Sequence, residues 1–376
     1  MPEDACPKRF GLASCREIVR DQRLAVGAGR GTMTTLKDLS QQLGLSVTQV
    51  SRALNGHADV SESTRERVKA LAAELHYQPN VSARRLVSGK SGIVGLVLPH
   101  LPLPPEDGQF IRIVGGLSAH FSRLRMQFVL HIAEESEDIL DVYRRLIQSG
   151  AIDGFVIIEP QVNDPRVAFL RDRDVPFVLH GRDCATPDYP FFDIDNHAVA
   201  RTLTRVLTRA GHRRIAFING LDGRAYVAAR EAGFRAAAAA EGLQSDALMH
   251  FTGEMVESHG LLATVEAFRD SACAPTALIA GNTRIAKGIF LALAALGLRV
   301  PQDVSLVAHD DILHDALSHV FDPPLTVTQS ALDLSWEPLA HCLAGAVEGR
   351  SLSSLQRIGA CRLIQRASVA PPPEAA

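Results

Sequence analysis

Within ten residues the chain sets out Ser46, Val47, Thr48, Gln49, Ser51, Arg52 and Asn55, a mixture suited to reading a nucleic acid. A glutamine amide matches the major-groove edge of adenine, and a guanidinium matches that of guanine. Thr35, Ser46, Ser51 and Asn55 are short hydrogen-bonding groups suited to phosphates. Such contacts fix register and carry no sequence information directly. A second set of polar residues follows apolar runs further along. Phe110 lies beyond Ile93–Leu98, His180-Gly181-Arg182 follows Pro176–Leu179, and Asn219-Gly220, Arg224 and Arg230 follow Arg214–Ile218. Asn282 follows Thr276–Ala280, and His309-Asp310-Asp311 follows Val304–Ala308. Arg, Asn and Asp bond sugar hydroxyls, and an aromatic such as Phe110 or Phe192 can cover the C–H face of a sugar ring. Each of these residues has a plainer use as well. Arg224 or Arg230 can pair with Glu231 or Glu241, and Asn282 or Asp310 can cap the segment that follows.

No arrangement for catalysis stands out. Gly27-x-Gly29-x-Gly31 lacks the spacing of a dinucleotide loop and follows no strand, and neither G-x-x-x-x-G-K-[ST] nor H-E-x-x-H occurs. There is no G-x-S-x-G elbow for a nucleophilic serine. His309, His314 and His319 recur every five residues, which rotates them around a helix and opposes a metal site. The six cysteines are dispersed without a C-x-x-C pair, as expected of reduced thiols. The expectation is a protein with no metal, no cofactor and no enzymatic activity.

The elements that must hold these groups fall into two kinds. Leu36, Leu39 and Leu43 form one short helical stripe, Val47, Val50 and Leu54 a second, and Val68, Leu71, Ala72 and Leu75 a third. Thr35-x-x-Asp38 and Ser46-x-x-Gln49 read as capping boxes, Ser61-Glu62 as a third helix start. Gly44 breaks the first pair, which is the pattern of a helix-turn-helix. Its second helix would present Val47, Thr48 and Gln49 to base edges, with Arg52 one turn on. Residues 33–92 hold eight Lys and Arg against five Asp and Glu, a local charge of +3 in a chain of net charge −3. Periodicity and capping alone fit a ligand-free three-helix bundle equally well.

From Ile93 onward, seven apolar strand-like runs alternate with Ala- and Leu-rich helical stretches. That alternation predicts parallel sheets covered on both faces. Seven strands in about 270 residues exceed one small sheet, so two lobes are expected. Doubly wound lobes bind ligands beyond the carboxyl ends of their strands, which is where the second polar set lies. At 376 residues, 46% apolar and 22% charged, the chain reads as a soluble protein of two or three domains. No apolar run reaches the roughly 18 residues of a membrane span, and charges interrupt residues 1–32, so a cytoplasmic location is expected.

Thr35–Leu39, Leu45–Gly56, Val60-Ser61, Thr64–Val68 and Tyr77–Asn80 together closely resemble the N-terminal signature of the lactose-repressor (LacI) family. Gly211–Ile218, Asp195-Asn196, Arg230-x-x-Gly233-Phe234, Gly297–Ser305 and Asp310-Asp311 resemble its regulatory core. The resemblance runs from about Thr35 to about Ser368. It implies an all-α helix-turn-helix headpiece joined to a two-lobed, periplasmic-binding-protein-like α/β domain with parallel sheets. It also implies a homodimer on pseudo-palindromic operator DNA, with a sugar or related effector in the cleft. The connector would become a hinge helix on DNA. Asn80 and Ala83 would lie along it, and Leu86 would wedge into the minor groove. By the same resemblance Phe110, Arg230, Asn282 and Asp310 match effector contacts, and Arg182 is compatible with carbohydrate-responsive members. Three departures stand out. The family's Asn-Pro-Phe-Phe element reads Asp107-Gly108-Gln109-Phe110, its Asn-Asp pair reads Asn282-Thr283, and its Phe or Tyr before the terminal aspartate is His309.

The organisation expected is a disordered extension over 1–32, a headpiece over 33–78 and a connector over 79–92. Met33 is a candidate start of the native protein. The effector and dimerisation domain would span 93–368, with one lobe over 93–191 and 325–352 and the other over 192–324 and 353–368. A disordered tail would follow over 369–376. The absence of a C-terminal leucine heptad favours a dimer over a tetramer. Two competing functions share the α/β layout: the solute-binding protein of a sugar transporter, and a sugar- or nucleoside-processing enzyme. The attached basic helices oppose the first, and fold alone does not exclude the second.

Overall fold

Short helices form where the sequence supplies both caps and a stripe. In the computed structural model, α1 (Leu36–Leu43) begins at Thr35, whose hydroxyl accepts from the Asp38 amide at 3.3 Å while the Asp38 carboxylate accepts from the Thr35 amide at 2.7 Å. It ends at Gly44, whose left-handed φ of 65° costs a residue without Cβ little. The second predicted box also forms before α2 (Val47–Leu54): the Gln49 amide donates to Ser46 Oγ at 3.2 Å, and the Ser46 amide donates to Gln49 Oε1 at 3.1 Å. Ser61 caps α3 (Glu62–Glu74). The three helices close on Leu39, Val50, Ala53, Val60, Val68 and Ala72.

The structure describes residues 34–54, 56–57, 59–75, 77, 90–99, 109–244, 247–310 and 321–373. The expected extension, the 79–89 stretch of the connector with Asn80, Ala83 and Leu86, and Asn55 lie outside the described residues. The chain divides into two units, residues 1–90 and 91–376.

The larger unit is built on two six-stranded sheets. The first runs β2 (Gln127–Ile132), β1 (Ile93–Leu98), β3 (Gly154–Ile157), β4 (Phe177–His180), β5 (Phe191–Ile194) and β11 (Gln356–Gly359), all parallel. The second repeats that order as β7 (Leu248–Thr252), β6 (Ile215–Asn219), β8 (Ala277–Ala280), β9 (Ser305–Asp310) and β10 (Thr326–Gln329). β12 (Arg362–Ile364) closes its edge antiparallel. Both lobes therefore have the 2-1-3-4-5 order, whose switch points lie between β1 and β3 and between β6 and β8. Each sheet carries a buried apolar cluster on either face. The Asp153 carboxylate accepts the amides of Ser91 and Gly92, each at 2.6 Å, and so fixes where the chain enters β1.

The lobe boundaries differ from those expected. β5 stays in the first sheet to Ile194, β10 belongs to the second sheet, and β11 returns to the first. The chain thus crosses between lobes near 195, after 329 and near 360. Helix Trp336–Val347 packs on the first lobe, as expected. The tail is ordered further than expected. Ser368 Oγ accepts from the Thr326 amide at 2.8 Å, and the Ala370 amide donates to Ser305 Oγ at 3.0 Å. Buried His212 bonds Thr276 Oγ1, Ser305 Oγ and the Ala370 carbonyl, each at 2.9 Å. Those contacts hold residues 368–370 against the amino ends of the strands.

Candidate functional site

In the headpiece, Val50 and Ala53 point into the bundle, so helical period leaves the other face of α2 to solvent. Val47 is 44% exposed, and Thr48, Gln49 and Arg52 are also exposed. Thr35 and Ser46 are exposed at helix starts, and Ser51 is half-buried. Gln49 Oε1 accepts from Ser46 at the helix start, as the capping box predicts. A base contact from Gln49 in this arrangement comes from Nε2 as a donor. Arg52 Nη2 lies 2.7 Å from Asp59 Oδ2, both side chains about half exposed.

In the larger unit, the structure joins some expected effector residues and separates others. Arg182, just past β4, donates Nε to Asp193 Oδ2 at 2.8 Å. Asp193 Oδ1 accepts from Asn196 Nδ2 at 3.2 Å. Asn196 Oδ1 accepts from Arg230 Nε at 2.8 Å, and Arg230 Nη1 donates to the Gly281 carbonyl at 2.9 Å. Arg182 and Asp193 belong to the first lobe; Asn196, Arg230 and Gly281 belong to the second. Local sequence explains the last step. Arg230 sits on helix Ala225–Ala240, three residues before Gly233, where any Cβ would collide with the His197 carbonyl of helix Asn196–Arg209. The glycine lets the two helices touch and brings Arg230 to Asn196.

Asn282 is the N-cap of helix Thr283–Ala295, accepting from the Ile285 amide at 2.9 Å, while its Nδ2 donates to the Met255 carbonyl at 3.2 Å. The capping use weighed from sequence is therefore the one observed. Asp310 is 5% exposed and accepts from Gln329 Nε2 at 3.0 Å. Phe110 is half-buried and packs against the core of the first lobe. Arg224 pairs with neither Glu231 nor Glu241. It crosses to the other lobe, donating Nη1 to the Glu159 carbonyl at 2.9 Å. Around it the Ala225 amide bonds the Pro160 carbonyl at 2.9 Å and the Val162 amide bonds the Gly223 carbonyl at 3.1 Å. This interlobe bridge joins the loops after β3 and β6. Sequence reasoning did not find Asp193, Glu159 or Gln329. The one signal for Asp193 was a carboxylate inside an otherwise apolar strand.

Two histidines stay neutral here. Burial pushes His180 down to about 4, and its ring stacks on Phe192 with centroids 6.3 Å apart. Burial, then the nearby Arg230 charge, holds His309 well below its ordinary value of 6.5. His309 Nδ1 lies 3.1 Å from Thr328 Oγ1, and its buried Nε2 has no partner among the described residues. Burial also lowers His212. An unfolded histidine takes up a proton below about 6.5, whereas these folded ones do not. Stability is therefore expected to fall as pH drops from about 6.5 toward 4, since the unfolded state binds more protons there. Melting temperatures measured across pH 4.5–7.5 check this, and His180→Phe should flatten part of the decline. A melting temperature that rises on acidification would contradict the burial of these rings.

Residues 35–80 match the model for bacterial regulatory proteins of the lacI family, and residues 91–356 match that for periplasmic binding proteins and the sugar binding domain of the LacI family. The HTH-type transcriptional regulator AglR of Rhizobium meliloti (strain 1021) is 37% identical over 341 residues, covering 90% of this chain and 95% of that protein. The regulator RafR of Escherichia coli is 34% identical over 323 residues, covering 86% and 94%. Among solved structures, a transcriptional regulator CelR–cellobiose complex superposes with a TM-score of 0.63 at 27% identity, over 89% of this chain and 99% of that one. The lac repressor dimer bound to operator and the anti-inducer ONPF gives 0.70 at 24% identity, over 90% and 100%, a likeness of fold. With both of its units matched, the chain belongs to the LacI family of bacterial regulatory proteins and is a DNA-binding transcription regulator whose operator binding is modulated by an effector.

Proposed function

We propose that this regulator is a homodimeric, cytoplasmic repressor whose effector is a saccharide held between the two lobes. The observation that carries this reading is the hydrogen-bonded chain Arg182–Asp193–Asn196–Arg230, which links an arginine of each lobe near the carboxyl ends of the strands. A polyhydroxylated ligand that bonds both arginines changes the angle between the lobes. The stacked His180 and Phe192 supply aromatic surface at the ends of β4 and β5, and the neutral imidazoles suit an uncharged ligand. The effector set we assign is Phe110, Arg182, Arg230, Asn282 and Asp310. The DNA set is Thr35, Ser46, Val47, Thr48, Gln49, Ser51, Arg52 and Asn55 in the headpiece, with Asn80, Ala83 and Leu86 in the connector. Thr35, Ser46, Val47, Thr48, Gln49 and Arg52 rest on exposure along α2 and its flanks; Ser51, Asn55 and the connector positions rest on the family signature. The similar solved structure of a CelR–cellobiose complex supports the ligand class. The family makes the chain a regulator and not an enzyme.

The test is selection of bound duplexes from a random pool with the purified full chain. A panel of di- and trisaccharides that includes cellobiose is then scored for release. A pseudo-palindromic site is expected, and a saccharide should change its affinity roughly 5- to 150-fold, the range of a 1–3 kcal/mol coupling. A purine or phosphorylated metabolite that shifts DNA binding where every saccharide fails would overturn the ligand class.

A further inference from the structure

The structure assigns Asp193 and Asn196 a role as a positioning pair that fixes Arg182 and Arg230 relative to each other across the first lobe crossover. The inference rests on the cleft being the effector site, and does not depend on which effector fills it. The pair straddles the hinge itself. Asp193 is the penultimate residue of β5, and Asn196 is the first residue of helix Asn196–Arg209. Both are buried, at 7% and 6% exposure. Only two residues separate them, yet one faces the guanidinium of each lobe.

The hydrogen-bond pattern has a direction. Asp193 carries acceptors only, so it takes Arg182 Nε on Oδ2 and the Asn196 amide nitrogen on Oδ1. That contact decides which way the Asn196 amide points, because a flipped amide would set oxygen against carboxylate. With its nitrogen committed to Asp193, Asn196 presents Oδ1 to Arg230 Nε. Asn196 Nδ2 also reaches the Ile194 carbonyl at 3.4 Å, on the crossover backbone. Arg230 is thereby aimed with its Nη1 on the Gly281 carbonyl, next to Asn282 at the head of the neighbouring helix. Burial raises the Asp193 carboxyl, with Arg182 opposing that rise, so the cation is what keeps a buried carboxylate in place. A ligand that pulls on either arginine is thus felt on both sides of the hinge.

The pair allows a swap that preserves the pattern. Asp193→Asn removes the fixed acceptor, lets both amides flip and leaves Arg182 without its counter-charge. Asn196→Asp sets two carboxylates side by side in a buried site. The double variant, D193N with N196D, restores the three links of the chain, giving up only the long contact to the Ile194 carbonyl: an amide oxygen for Arg182, an amide nitrogen for the carboxylate at 196, and that carboxylate for Arg230.

Two measurements on the full chain decide the matter. The first is calorimetric affinity for the saccharide that releases the selected DNA. Each single variant should weaken it about tenfold or more, and the double variant should return it to within about threefold of the parent. The second needs no ligand. Amide exchange at 196–199 and 228–231 in the free protein should quicken in each single variant and slow again in the double. Single variants that melt earlier but keep parental affinity and parental exchange at these amides would reduce the pair to ordinary packing and overturn the assignment. A double variant no better than either single variant would overturn it too. A parent protein that answers to no saccharide would end the saccharide reading alone, and the exchange measurement would still decide the pair.

Discussion

An Arg230→Ala protein is expected to lose most of its effector affinity, and with it the effector's hold on DNA binding. Arg230 is 4% exposed and bonds both Asn196 and the Gly281 carbonyl while its guanidinium lies 5.1 Å from the Tyr226 ring centre. Hydrogen bonds to a charged group contribute about 1.5–3 kcal/mol, so loss of the ligand's share alone corresponds to roughly 10- to 150-fold. Truncation also strands the Asn196 and Gly281 oxygens, which adds a cost in the free protein. Arg230→Lys should recover little. A lysine keeps the charge but lacks the planar fork that serves Asn196 and Gly281 together. Effector calorimetry, paired with operator binding at increasing effector, reads both quantities. Normal effector affinity in Arg230→Ala would show that the ligand sits elsewhere in the cleft.

Much of this architecture is legible because local rules and tertiary structure agree. Ile93–Leu98, Gly154–Ile157 and Ala277–Ala280 are continuous apolar runs, and they became central strands with both faces covered. The headpiece is legible down to individual hydrogen bonds, since capping boxes are written within four residues. The strands that escaped notice are short or lie at edges. Gln356–Gly359 carries no apolar run, yet it pairs beside Phe191–Ile194 because the chain returns there from the second lobe. Leu248–Thr252 is half-buried at a sheet edge, where burial no longer demands a hydrophobic sequence. Misplaced lobe boundaries follow from the same blind spot.

The site was legible as a set of residues and not as a set of contacts. The segment that follows a parallel strand is a readable place to look: Arg182 and Asn282 lie just past β4 and β8, Asp310 ends β9, and Arg230 lies in the helix after β6. Their partners are not readable. Arg230 reaches residues 34 and 51 positions away, and Arg224 reaches one 65 away. Periodicity reports only neighbours within a few turns. Roles also compete in ways that a pattern leaves undecided. Gln49 could cap or read a base and Asn282 could cap or bind; in both the cap forms, and the amide keeps capacity for a second partner.

That competition makes Arg52 the sharper test of the headpiece. Arg52→Ala is expected to weaken the selected operator by about 1–3 kcal/mol, roughly 5- to 150-fold, as for loss of a bidentate contact to a base. Folding should barely change. Its pairing with Asp59 is a half-exposed ion pair, and such pairs contribute about 0–1 kcal/mol. Arg52 shares the solvent face of α2 with Val47 and Thr48, while Val50 and Ala53 anchor the opposite side. A base contact and a phosphate contact leave different marks. If Arg52 reads a base, the alanine variant selects sites with relaxed preference at one position of each half-site. If it neutralises a phosphate, affinity falls evenly across sequences and the logarithmic salt slope drops by about one. Lys37→Ala, at an exposed position on α1, provides the phosphate-type comparison. Reselection from a random pool, with affinities measured over a salt series, separates the cases. An unchanged selected sequence with a shallower salt slope would remove Arg52 from the base-reading set and leave Val47, Thr48 and the Gln49 amide to carry it.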